Sequence, residues 1–122
     1  IEHVHEDERF LAKAFDILQP GGALYLTTPN GTAIPNTNPD HVRHYAASEL
    51  EALLLSRFPR AEVKHGEIMT TCWRKGLGVW KPGQPVAMAG AMLANLIHRL
   101  QNARAKTTAL NSARLFATAW KA

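Results

Sequence analysis

The stretch FLAKAFDILQPGGALYLTTPN, residues 10–30, decides the fold. Phe10, Leu11, Ala14, Phe15 and Leu18 recur at helical spacing and predict one buried face. Pro20-Gly21-Gly22 stops that helix, because proline cannot continue the hydrogen-bond ladder and glycine accepts the backbone angles of a turn. Ala23 to Thr28 is then an unbroken, mostly apolar run, the pattern of a strand covered on both faces. A helix feeding such a strand predicts an α/β layer fold. Ligands in open α/β sheets gather beyond the carboxyl ends of the strands. Thr28, Pro29 and Asn30 are therefore candidate substrate-binding residues, offering a hydroxyl, a stiff backbone and an amide that donates and accepts. The competing reading of Asn30-Gly31 is an ordinary turn.

Outward from that stretch, residues 1–5 read as the carboxyl end of a strand, and Glu6-Asp7-Glu8 suits a helix amino terminus. PNGTAIPNTNPD, residues 29–40, is dense in turn formers and reads as a long functional loop. Ser48 is the expected cap of a helix carrying Leu50, Leu53, Leu54 and Phe58. RAEVKHGEIM, residues 60–69, alternates as a strand with Ala61, Val63, Ile68 and Met69 inward. TTCWRKGLGVWKPGQP, residues 70–85, reads as an irregular excursion packed by its own aromatics. Val86, Ala89, Leu93, Leu96, Ile97 and Leu100 mark one face of a helix over residues 85–105. A soluble domain must bury such a stripe somewhere, so core packing is expected, with a surface-binding helix as the alternative. SARLFATAWKA, residues 112–122, predicts a terminal strand with Leu115, Ala117 and Ala119 facing opposite to Phe116, Thr118 and Trp120.

A chain of 122 residues suits one domain, and 46% hydrophobic with 20% charged residues is globular composition. The weakly polar run from Val86 to Ile97 is too short for a bilayer-spanning helix. A single cysteine, Cys72, excludes an internal disulfide and fits a reducing, cytoplasmic location. The chain opens on IEHVHEDERF without an initiator Met and reads as a piece of something longer. Charge is divided unequally. All ten acids lie between Glu2 and Glu67 beside six Lys and Arg, while residues 68–122 carry eight Lys and Arg and no acid. That basic portion suits an anionic substrate, RNA or an acidic lipid surface, or is simply a solvated face.

IEHV at 1–4, residues 10–30 and HVRHYAASELEALL at 41–54 together resemble the carboxyl-terminal half of class I S-adenosylmethionine-dependent methyltransferases, ubiquinone-pathway O-methyltransferases among them. The resemblance covers residues 1 to about 67 and implies part of a Rossmann-like, seven-stranded, mainly parallel sheet whose last strand is antiparallel. Residues 1–5 would follow strand four, 23–28 form strand five, 61–68 strand six and 114–121 strand seven. Residues 1–69 and 113–122 then build the sheet, and 70–112 is a helical insertion or lid before the last strand. The family's Gly-rich donor loop has no counterpart, since Gly21-Gly22 precedes a strand instead of following one. The expectation is an S-adenosylmethionine-dependent enzyme acting on a hydroxyl of a small molecule, present as a fragment inactive by itself and unable to grip the methyl donor. The alternatives are an RNA or saccharide acceptor, or a non-enzymatic module that binds a membrane surface or a partner.

The resemblance also directs attention to the histidines. Glu2-His3 followed by His41 is similar to a Glu-His plus downstream His arrangement that holds a divalent metal such as Mg in some of these enzymes. It implies Glu2, His3 and His41 as metal ligands, or Glu2 and His3 beside the cofactor. Without metal, a general base near the acceptor oxygen suffices, His41 first and His3 second. Arg43 and Tyr45 are further substrate-binding candidates, with loop packing as their plainer role, and His65 and His98 read as structural.

Overall fold

The computed structural model describes residues 1–122. In chain order it holds α1 (Asp7–Ile17), β1 (Ala23–Pro29), α2 (Ala47–Leu55), β2 (Arg60–Ile68), α3 (Thr71–Arg74), α4 (Pro85–Arg104) and β3 (Ser112–Trp120). The last strand inserts between the other two, giving the order β1-β3-β2, and pairs antiparallel with both. β1 and β2 therefore run parallel on either side of it, and their carboxyl ends lie at the same end of the sheet.

The core forms where the expected inward positions meet. Leu115, Ala117 and Ala119 of β3 are sealed against Leu11 of α1, Leu50 and Leu54 of α2, and Phe58. Each fully buried Leu or Phe contributes roughly 1.5–3 kcal/mol of transfer free energy, so this cluster dominates the stability of the sheet half. Both helices cover the same face. The other face of β1 is bare, with Tyr25 74% exposed, so the expected double covering is found on one side only. One edge of β1 is also unpaired, because its single neighbour is β3.

Two local expectations are corrected. Residues 1–5 form no strand: Val4 N–H closes a turn onto Ile1 C=O, and the Glu2 carbonyl accepts from Val42 N–H at 2.7 Å. Ser48 lies inside α2; the cap is Ala46, whose amide donates to the Glu49 carboxylate at 2.8 Å. This is the half of a capping box in which a carboxylate at the third helical position accepts from the N-cap amide, a bond that needs no hydroxyl at the cap.

The larger correction concerns α4. Its apolar stripe is not buried; the sealed residues are Ala91 and Ala94. The helix docks by its polar side instead. Asn95 donates to Gly78 C=O at 3.0 Å, the Thr70 hydroxyl and His98 Nδ1 are 2.8 Å apart, and Asn102 Oδ1 accepts from Ile68 N–H at 2.6 Å. His98 Nε2 also approaches Glu67, the next-to-last residue of β2, which has a left-handed φ of 54° and pairs with Arg114 at 2.6 Å. Backbone groups at the end of β2 and in the 71–80 turn need partners, and the small faces of Ala91 and Ala94 let these amides and the imidazole reach them.

Candidate functional site

The carboxyl end of β1 is fixed from within. Asn30 is fully buried, its side-chain N–H groups donate to Ala109 C=O at 2.7 Å and Ser112 C=O at 2.9 Å, and its Oδ1 accepts from Thr32 N–H. The amide expected to meet substrate is therefore occupied, and Asn30 acts as the rivet between β1 and the segment entering β3. Just beyond it, Gly31 N–H donates to Tyr45 C=O at 2.8 Å, which carries the 41–45 segment against the strand end.

Tyr45 is buried as well. Its hydroxyl donates to Asp7 Oδ2 at 2.8 Å, and Arg43 pairs with the same oxygen at 3.0 Å. Burial, and next the hydrogen bond to the Asp7 carboxylate, push the phenol well above its ordinary value of 10.0. Tyr45 and Arg43 thus hold the histidine segment onto α1, a packing role in place of the expected substrate contact. Asp7 completes that anchor, and its sequence signal was only an acid in a first helical turn.

That anchoring sets out three histidines whose neutral rings take defined tautomers. A carbonyl can only accept, so His44 Nδ1 donates to Ile34 C=O at 2.9 Å and leaves Nε2 as an acceptor. His41 Nδ1 lies 2.7 Å from that nitrogen and must donate to it, which frees His41 Nε2. His3 Nδ1 likewise donates to Asp40 C=O at 2.9 Å, and its Nε2 is 4.0 Å from Glu2. Neutral His3 and His41 each keep one lone pair, and the candidate ligand atoms of Glu2, His3 and His41 all lie within 4.8 Å of one another.

The carboxylate is tuned to stay charged. Burial opposes ionisation of Glu2, but its own backbone N–H, the Ile1 ammonium and the nearby Thr28 hydroxyl outweigh it, and its pKa falls below 4.5. The Thr28 hydroxyl is itself buried without a partner at strict hydrogen-bond geometry. Glu2, Pro29, His41 and His44 line an open cavity of about 400 Å³, and Trp73 and Arg114 close its other side. Volumes of this order suit small ligands.

No known family model matches the chain. Over 60 residues it is 38% identical to a probable S-adenosylmethionine-dependent methyltransferase of Mycolicibacterium smegmatis, an alignment covering 44% of this chain and 23% of that relative. A crystal structure of a SAM dependent methyltransferase from Archaeoglobus fulgidus superposes with a TM-score of 0.59 at 14% identity, over 98% of this chain and 55% of the other. The fold matches part of the fold of that SAM dependent methyltransferase. The chain thus spans about half the length of the methyltransferase structure it matches and under a quarter of the curated relative.

Within this methyltransferase fold, Glu2, Thr28, Pro29, His3 and His41 come together at one sheet end, while Asn30 and Tyr45 stand behind it and Arg43 is turned to Asp7. Arg114 was missed, and Trp73 was read only among the aromatics expected to pack their own loop or stack a base or sugar. Arg114 faces Pro29 across the β1–β3 ladder and Gly66 across the other, a placement that only the pairing register reveals. Trp73 arrives from α3, in the 70–85 stretch with no periodic signal.

Proposed function

We propose that the chain is the acceptor side of an S-adenosylmethionine-dependent O-methyltransferase acting on a small molecule, with the donor grip lying outside residues 1–122. The bare edge and face of β1 support the second part, since an α/β strand of this composition is normally flanked and covered. The observation that carries the first is the convergence of the Glu2 carboxylate with a ring nitrogen from each of His3 and His41 beside Pro29.

Two imidazoles and a carboxylate fit a divalent cation, and the mixed nitrogen and oxygen donors suit Mn²⁺ better than Mg²⁺, which favours oxygen ligands throughout. Glu2, His3 and His41 would hold it, with the carbonyls of Asp40 and Ile34, the latter through His44, fixing the ring tautomers from behind. Such a cation makes a bound hydroxyl easier to deprotonate. In the metal-free case His41 Nε2 accepts the hydroxyl proton, and the His41 Nδ1–H bond to His44 spreads the resulting positive charge. The sulfonium donor is already reactive, so the remaining task of the residues is to align the acceptor and exclude water. A sugar or base acceptor is the second reading, favoured by the half-exposed Trp73 ring at the cavity rim.

His41→Ala in the full-length enzyme is expected to lower turnover at least about tenfold, and unchanged turnover removes His41 from the mechanism. Chelation separates the two roles: loss of activity restored by Mn²⁺ identifies the ligand, and indifference to chelator identifies the base. Titration calorimetry on residues 1–122 should detect no tight binding of the methyl donor; binding in the micromolar range would place the donor grip inside this chain.

A further inference from the structure

α4 turns its amides and His98 inward and its hydrocarbon outward. Val86 is 86% exposed, Met92 60%, Leu93 59%, Leu96 55% and Leu100 54%. The surface does not end at the helix. Leu77 and Val79 share a groove of about 530 Å³ with Leu93 and Ile97, and Ile97 and Leu100 share a second, of about 590 Å³, with Ile68 and Met69. A continuous apolar surface of this kind on a soluble domain marks an interaction site.

Its charge identifies the partner. Lys75 and Lys81 stand at the first groove and Arg104 at the second, Arg99 is exposed on the helix, and residues 68–122 contain no acid. A second copy of this surface would oppose cations with cations and bring nothing to neutralise them. An amphipathic helix with its polar side already satisfied, an outward Leu stripe and a basic border matches the chemistry of an anionic bilayer surface, where hydrocarbon enters the interface and cations meet headgroup phosphates. No helix is long and apolar enough to cross a membrane, so the contact is one of lying on the surface.

We propose that α4 and the 75–81 segment form a docking surface for an anionic phospholipid bilayer. This rests on the insertion alone and is independent of the methyltransferase reading. It is tested by flotation of the full-length polypeptide with mixed phosphatidylcholine–phosphatidylglycerol vesicles and with phosphatidylcholine alone. Binding is expected only with the anionic vesicles, and it should weaken in high salt, where surface charges are screened within a few ångströms. Leu93→Gln, Leu96→Gln and Leu100→Gln combined should cut vesicle affinity at least about tenfold with unchanged circular dichroism and melting temperature, since all three side chains are more than half exposed. Lys81→Gln with Arg104→Gln should weaken it several-fold. Absence of anionic-vesicle binding overturns the proposal, as does a triple variant that binds like the parent. So does sedimentation showing the stripe buried in a dimer or in other parts of the polypeptide, or short RNA displacing the vesicles. Vesicle binding with no methyl transfer would leave this inference standing and remove the proposed activity.

Discussion

In β3, Leu115, Ala117 and Ala119 turn towards α1 and α2 and are sealed from water, whereas in α4 five large apolar side chains are more than half exposed and the sealed positions are Ala91 and Ala94. The two regions belong to one chain of 122 residues and are held by different forces. The sheet half is held by hydrocarbon burial, which is non-directional and scales with area. The insertion is held to the sheet by a few directional bonds, from Thr70 and Ile68 to His98 and Asn102, and hydrogen bonds of this kind contribute about 1 kcal/mol each net of water. The face of the sheet under α1 and α2 has its apolar demand satisfied within the chain; the stripe of α4 does not.

The sharpest way to break that contrast is a matched pair of truncations. Leu115→Ala removes a fully buried side chain and is expected to cost about 3 kcal/mol, read as a shift in the urea midpoint at constant slope. Leu93→Ala, at 59% exposure, should cost less than about 0.5 kcal/mol in the same assay. Equal costs would mean that the stripe is covered in solution and that the contrast is false.

The same contrast explains what the sequence disclosed. Alternation in SARLFATAWKA identified the inward residues of β3 because one face of the strand is buried, and burial enforces period two. The spacing in FLAKAFDILQP likewise located α1, though Phe10 is 40% exposed. Periodicity gave α4 its extent and misjudged its orientation, because an apolar stripe says that something covers it without saying what. At the site, Glu2, His3 and His41 were legible through the family resemblance, although residues 1–5 form no strand and His41 lies in a loop. The tautomers that leave His3 and His41 one unprotonated nitrogen each depend on the Asp40 and Ile34 carbonyls, whose positions are set by loop geometry and leave no trace in side-chain identity.

The anchor behind the site offers a second test. Tyr45→Phe removes a bond to a charged, buried acceptor and is expected to cost about 2 kcal/mol, with Asp7 left to Arg43. The pH dependence has a definite sign. Below pH 10 the phenol is protonated both folded and unfolded, so its contribution is complete; above pH 10 the unfolded chain loses the proton first, and stability falls as pH rises towards the higher folded value. Urea midpoints across pH 9 to 11, values set around the 10.0 reference, should decline less steeply for Tyr45→Phe than for the parent. Parallel declines would show that the phenol is not the group responsible.

Gly31→Ala probes how closely the histidine segment must approach. A Cβ there would stand 2.8 Å from the carbonyl carbon and oxygen of His44, backbone atoms with no rotamer to yield. The 41–45 segment must retreat, at an expected cost of about 1–2 kcal/mol. Because that segment carries His41, the methyl transfer proposed for the full-length protein should slow while the β3 core changes little.

A small and local effect bears most directly on α4. His98 joins α4 to the body at two points, the Thr70 hydroxyl at 2.8 Å and the Glu67 carboxylate at 3.4 Å. Thr70 is also the cap of α3, where its oxygen accepts from Trp73 N–H, so its own proton is free to go to His98 Nδ1. His98→Ala therefore leaves the Thr70 cap intact and removes the tie between helices. If α4 is held by such bonds and not by hydrocarbon, the loss is local: amide exchange along 91–102 should accelerate by about fivefold, near 1 kcal/mol, while exchange in β3 keeps its rate. Thr70→Ser retains the hydroxyl and should exchange like the parent. Uniform acceleration across α4 and β3 would instead mean that the insertion and the sheet unfold as one unit, and that the division drawn between them has no energetic meaning.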